Sequence, residues 1–220
     1  MTLQNKDSQE QIIEQVLSSY ENPGLRSWLR LKTKVGQLPT TLFLPLFEGW
    51  EPKAILEIGC GYGVLSSCLS LHYPQSRVQG IDIDAKRISG AQQSAHNKGN
   101  LKFALQNALD MSGEEWDCLI LVDMLHHVPR HLQEKIVIKC HELLKPGGRL
   151  LIREVDPEAN LGKFWLTHIF ECVFYQEVCK MLSISQLSGF MSKAGFKQID
   201  VHRDNPKSPV FPYVTYMAYR

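Results

Sequence analysis

The chain has 220 residues, of which 44% are apolar and 21% charged, and its formal net charge is +1. This length suits one domain with a sizeable core, and the near-neutral charge gives no electrostatic case for a nucleic-acid partner. No apolar run is long enough to span a bilayer, and Met1 to Glu10 lacks the apolar stretch of a secretory signal, so no integral membrane segment is expected and the location expected is cytoplasmic. The six cysteines form no C-x-x-C pair and no zinc-like spacing. Buried, reduced thiols are expected, and no metal site.

Residues 8–38 read as one or two helices, part of an N-terminal helical stretch over 1–48. Ile12, Ile13, Val16 and Leu17 share one face, and Pro23-Gly24 breaks the pattern. Arg26, Arg30, Lys32 and Lys34 read as a solvated helix face rather than a binding patch. From residue 53 to residue 155, short apolar strands alternate with helices. The strands are Lys53–Ile58, Arg77–Asp82, Leu101–Leu105, Asp117–Val122 and Gly148–Glu154; the helices are Val64–His72, Ala85–Lys98 and Pro129–Leu144. Lys145-Pro-Gly-Gly148 is expected to stop the last helix sharply. Such alternation calls for a mostly parallel sheet covered on both faces, with ligands bound beyond the C-terminal strand ends. Residues 157–190 carry an aromatic stripe at helical spacing (Phe164, Trp165, Ile169, Phe170, Val173, Phe174, Val178), which reads either as core packing or as an apolar substrate lid. Residues 197–220 read as an antiparallel hairpin, Gln198–Arg203 and Tyr213–Tyr219, around a loop with Pro206, Pro209 and Pro212.

The chemistry concentrates after the first strand, in Ile55-Leu-Glu-Ile-Gly-Cys-Gly-Tyr-Gly63. A strand, glycine turn and helix bring bare backbone to a ligand at a helix N-terminus. A dinucleotide fingerprint wants a glycine where Val64 stands, which argues against a nicotinamide-dependent oxidoreductase. Four more features follow in order: Gly80-Ile-Asp-Ile-Asp84, Gln106-Asn-Ala-Leu-Asp110, Leu121-Val-Asp-Met-Leu-His-His-Val-Pro129, and Leu143-Leu-Lys-Pro-Gly-Gly-Arg-Leu-Leu-Ile152. Together with the glycine turn and Glu57 upstream of it, this series resembles the class I S-adenosylmethionine-dependent methyltransferases over residues 53–155.

The resemblance implies a Rossmann-like three-layer α/β/α sandwich, with a seven-stranded, mostly parallel sheet and one antiparallel C-terminal strand, in a single domain. It implies S-adenosyl-L-methionine as cofactor. Glu57 would orient the methionine amino group, Gly59, Cys60 and Gly61 would line the aminoacyl part, Asp82 would accept from the ribose hydroxyls and Ile83 would lie against adenine. Asn107 stands where many relatives carry aspartate; its carbonyl oxygen can accept the same adenine hydrogen bond, with Ala108 beside it. Asp123 reads as a cofactor-pocket residue or as a holder of its own loop, and Asp84 as a helix N-cap.

His126 and His127 are the candidate catalytic pair, because neutral histidine can take a proton from a hydroxyl or amine near pH 7. Neighbours on a loop seldom both face one pocket, so one at most is expected to act; the other reading is packing and helix capping. No base is obligatory, since orientation alone supplies on the order of 7–11 kcal/mol in such displacements. DNA-base methyltransferase signatures are absent, and the acceptor expected is a small hydrophobic or aromatic molecule, methylated at oxygen ahead of nitrogen or carbon. The sequence also allows a silent cofactor-binding partner protein or a protein methyltransferase, and leaves a homodimer open.

Overall fold

A computed structural model of the chain describes residues 3–20, 49–95, 98–113, 116–158, 180–203 and 213–220. The aromatic stripe of 164–178, Pro23-Gly24, the basic residues 26–34, the prolines of 206–212, Cys172 and Cys179 lie outside them. The chain divides into two compact units, residues 1–107 and 108–220.

In the first unit, helix α1 (Leu3–Ser18) precedes β1 (Ala54–Ile58), α2 (Val64–His72), β2 (Arg77–Asp82), α3 (Ala85–Ser94) and β3 (Leu101–Leu105). β1 pairs parallel with β2 and β2 with β3, in a register that sets Ile58 beside Ile81 and Asp82 beside Leu105. All residues of β1 are buried, which is why the strand reads as an apolar run broken only by Glu57 rather than as an alternation. α1 packs on α2 through buried Val16, with Ile12, Ile13 and Leu17 half-buried on the same face. Asp84 caps α3 by accepting from the N–H groups of Lys86 and Arg87 at 2.8 and 3.1 Å. That helix ends at Ser94, short of the expected Lys98, because the chain must turn at Gly99-Asn100 to enter β3. The Asn100 carboxamide fastens this turn to the carbonyls of Ser70, Tyr73 and Ser76.

The second unit holds β4 (Trp116–Val122), α4 (Arg130–Leu143), β5 (Leu144–Val155), α5 (Ile184–Ala194), β6 (Gln198–Arg203) and β7 (Tyr213–Tyr219). β4 and β5 are parallel, while β7 is antiparallel to both β5 and β6, as the short C-terminal connection requires. Pro129 is the N-cap of α4 rather than its first turn. The helix does stop before Lys145-Pro-Gly-Gly148, but these residues are not a separate corner. β5 begins at Leu144, opposite Trp116, and the register then shifts so that Arg149 faces Cys118. Gly147 takes the left-handed φ of 79° that this bulge needs, and Lys145 reaches Asp117 at 2.9 Å. α5 opens with a capping box between Ser183 and Gln186 and closes at Gly195 with φ 103°.

The seven strands follow the order β3-β2-β1-β4-β5-β7-β6, the expected mostly parallel sheet with one antiparallel strand, β7. Gly63, the N-cap of α2, has φ 78°, and a Cβ there would stand 2.3 Å from Phe103 Cζ. Gly63→Ala therefore combines backbone strain with overpacking and should cost about 2–5 kcal/mol of stability in a urea unfolding curve. An unchanged midpoint would contradict this packing.

Candidate cofactor and catalytic site

The glycine turn is held against the end of β2 by its own backbone. Gly59 and Cys60 both donate to the Ile81 carbonyl, at 2.8 and 3.0 Å, and Gly63 donates to Cys60 at 2.9 Å. Gly61 donates to Asp82 Oδ2 at 2.9 Å, while Asp82 Oδ1 accepts from the Asp84 N–H at 2.9 Å. The N–H groups of Gly59, Cys60, Gly61 and Gly63 are thus spent inside the unit. What the turn presents is a fixed shape, with φ of 76°, 54° and 78° at Gly59, Gly61 and Gly63. A Cβ on Gly61 would meet nothing within 4 Å, so the glycine is required there by its φ rather than by crowding.

Glu57 is buried beneath the turn and accepts from the Ser66 N–H at 2.9 Å and from the Ser66 hydroxyl. This carboxylate at the start of α2 complements the helix dipole. Burial first, then the carboxylates of Glu57 and Asp82, pushes the Cys60 thiol up, so it stays protonated and inert. Cys60, Cys68, Cys118 and Cys140 are all free and buried.

Beside Asp82, Ile83 is 77% exposed and Leu105 57% exposed. Leu105 is the register partner of Asp82, so two bare apolar side chains flank one buried carboxylate at neighbouring strand ends. A purine ribonucleoside has the matching character: a flat apolar base joined to a diol. Leu105 was not singled out from the sequence, because an apolar residue closing a strand looks like core; its exposure gives it away. Asn107 follows β3 as an exposed residue, and Ala108 opens the second unit, buried in a 3-10 turn to Asp110.

In the second unit, the segment after β4 is organised by Glu154 of β5. One carboxylate oxygen accepts from the N–H groups of Met124 and Leu125, at 3.1 and 2.7 Å, and the other pairs with His126 Nδ1. Gln133 of α4 is buried and donates from Nε2 to the Leu125 and Lys180 carbonyls, at 3.0 and 2.7 Å. Lys180 N–H in turn donates to the His126 carbonyl at 2.8 Å. His126 is only 3% exposed, whereas His127 is half-buried with its ring 4.2 Å from that of His126. Asp123, at φ 49°, donates its N–H to the Arg153 carbonyl and accepts from Tyr213 Oη at 3.3 Å. The buried Arg153 guanidinium lies 3.6 Å from the centre of the Tyr213 ring. Glu154, Arg153 and Gln133 were missed from the sequence. A charged pair closing an otherwise apolar strand was the signal available for the first two.

The methyltransferase-domain family matches residues 55–148, the span that holds the glycine turn, Asp82, Asn107, Asp123 and both histidines. Over this span the chain is similar to the methyltransferase domain, in line with the resemblance of its motifs to the class I S-adenosylmethionine-dependent methyltransferases. S-adenosylmethionine is this family's cofactor, and the glycine turn, Asp82, Ile83 and Leu105 fit it. Among curated relatives, a ubiquinone biosynthesis O-methyltransferase of Coxiella burnetii is 29% identical over 159 residues, covering 68% of this chain and 65% of its own length. Its namesake from Pseudomonas syringae is 30% identical over 115 residues, covering 50% of this chain and 48% of its own length. The chain thus spans less than two thirds of these relatives. Among solved structures, human N-acetylserotonin methyltransferase in complex with S-adenosylmethionine superposes with a TM-score of 0.67 at 17% identity, over 89% of this chain and 55% of that one. A S-adenosylmethionine-dependent methyltransferase of Methanosarcina mazei gives 0.62 at 20% identity, over 80% of this chain and 97% of its own. These likenesses establish the fold. Among the described residues no helix is long and apolar enough to cross a membrane, and no cluster of three or more His, Cys, Asp or Glu side chains could hold a metal ion.

Asp82→Asn sets an amide NH2 against a backbone N–H at Gly61 or Asp84. The loss of one acceptor should destabilise the protein by about 1–3 kcal/mol in chemical denaturation. Stability equal to wild type would mean that the carboxylate does not hold the turn.

Proposed function

We propose that this chain is an O-methyltransferase acting on a hydroxyl of a small hydrophobic or aromatic acceptor, working as one methyltransferase domain in the cytoplasm. The curated relatives named for O-methylation support the choice of oxygen, and the free, buried cysteines suit a reducing compartment. The observation that carries the catalytic part is the buried pairing of His126 Nδ1 with Glu154.

S-adenosylmethionine supplies a methyl group already activated on a sulfonium. Of the chain's own residues, the glycine turn and Glu57 take the aminoacyl end, Asp82 accepts from the ribose hydroxyls, and Ile83 and Leu105 lie along adenine, with Asn107 and Ala108 at its edge. Asp123 lines the same ligand. His126 is the general base. A carboxylate at Nδ1 keeps the ring proton on that nitrogen, which leaves Nε2 as the basic atom. His126 removes the hydroxyl proton at Nε2, and Glu154 stabilises the imidazolium so formed, the division of labour seen in acid–histidine pairs generally. Burial keeps bulk water off the ring while it carries that proton. His127, its ring tilted against that of His126 and partly exposed, borders the acceptor.

The test is transfer of radiolabelled methyl from S-adenosylmethionine to a panel of phenols, matched amines and intact proteins. Label is expected on the phenols, and His126→Ala should lower turnover at least about tenfold, more than His127→Ala does. Label confined to amines or proteins would overturn the acceptor class. Full turnover in His126→Ala would remove the base.

A further inference from the structure

Beyond the Gly61 N–H, the glycine turn is not fixed by β2. Gly59, Cys60 and Gly61 are tied to Ile81 and Asp82, but the peptide joining Tyr62 to Gly63 lies farther along, with glycines at 61 and 63 on either side of Tyr62. Glycines tolerate both hands of φ, so this peptide can rotate unless other groups hold it. Its N–H bonds to the Cys60 carbonyl, and its carbonyl accepts from Tyr20 Oη at 2.6 Å, from 42 residues away. Tyr20 follows α1, ahead of the segment that the methyltransferase-domain family matches.

The donor is built in rather than incidental. Tyr20 is 6% exposed, with the hydroxyls of Ser67 and Ser94, themselves 2.9 Å apart, beside it. Burial pushes its phenol up, so it remains a donor throughout the neutral range. The ring of Tyr62 is pinned as well: a Cβ on Gly90 of α3 would stand 2.8 Å from it. Carbonyl and ring of Tyr62 are therefore both held, one by the N-terminal segment and one by α3.

We propose that Tyr20 is a positioning residue for S-adenosylmethionine: its hydroxyl locks the Tyr62–Gly63 peptide and so keeps the glycine turn in its binding shape. The N-terminal segment is then part of cofactor binding rather than an appendage to the domain. This rests on the turn being the cofactor's seat, as proposed above. A turn with an unlocked peptide samples other shapes, and affinity falls by the fraction of time it spends in them.

Calorimetric titration with S-adenosylhomocysteine tests this on three proteins: wild type, Tyr20→Phe and Val16→Ala. Tyr20→Phe keeps the buried ring and removes only the donor; it should weaken binding about 3–10-fold and speed hydrogen exchange at the Gly63 amide. Val16→Ala loosens the packing of α1 without touching the hydroxyl, so it should lower Tm and leave the affinity within about twofold. Equal affinity in Tyr20→Phe and wild type would overturn the proposal, and so would a loss in Val16→Ala as large as in Tyr20→Phe. No binding by folded wild type would instead remove the cofactor seat itself, a different outcome from either.

Discussion

A carboxylate taken out of water must find donors where it is buried, and this chain meets that condition at the C-terminal ends of three parallel strands. Glu57 in β1 takes the N–H and hydroxyl of Ser66; Asp82 in β2 takes the N–H groups of Gly61 and Asp84; Glu154 in β5 takes those of Met124 and Leu125 together with His126 Nδ1. Each carboxylate satisfies its own desolvation by gathering the backbone of a loop. Loops at this edge of a parallel sheet are where ligands bind, and they would otherwise be its softest part. Removing one member of such a cluster leaves the others buried without partners, so the loops are rigid as a consequence of the charges beneath them.

The two units apply this condition to different ends. In the first, the carboxylates and the Ile81 carbonyl consume the N–H groups of the glycine turn, leaving a surface of fixed shape beside the exposed Ile83 and Leu105. In the second, Glu154 pairs with His126 Nδ1 and gathers the Met124 and Leu125 N–H groups. Gln133 and Lys180 hold the carbonyls of Leu125 and His126, so that residue is bonded through its backbone as well as its ring. Orientation by a fixed shape is the main thing that transfer from an already activated methyl asks of a protein.

Much of this was legible in the sequence because it is written in local pattern. The bounds of β2, β3, α2, β6 and β7 follow from apolar runs closed by polar residues, and the structure reproduces them. Asp84 as an N-cap needs only its position ahead of a helix. The parts that were not legible depend on partners far apart in the chain. Glu154 lies 28 residues from His126, and Tyr20 lies 42 from Tyr62; no periodicity reports such contacts. The Lys145–Gly148 segment stops the helix as its proline and glycines signal, but the neighbouring β4 also draws it into a bulged start of β5, so the strand begins at Leu144 rather than Gly148.

If Asp82 and the glycine turn seat S-adenosylmethionine, a crystal structure grown with S-adenosylhomocysteine will show the ribose hydroxyls on the Asp82 carboxylate, adenine against Ile83 and Leu105, and the hydrogen bonds of Gly59, Cys60 and Gly61 unchanged. A nucleoside bound elsewhere, or a glycine turn that rearranges to turn its N–H groups onto the ligand, would contradict that seating.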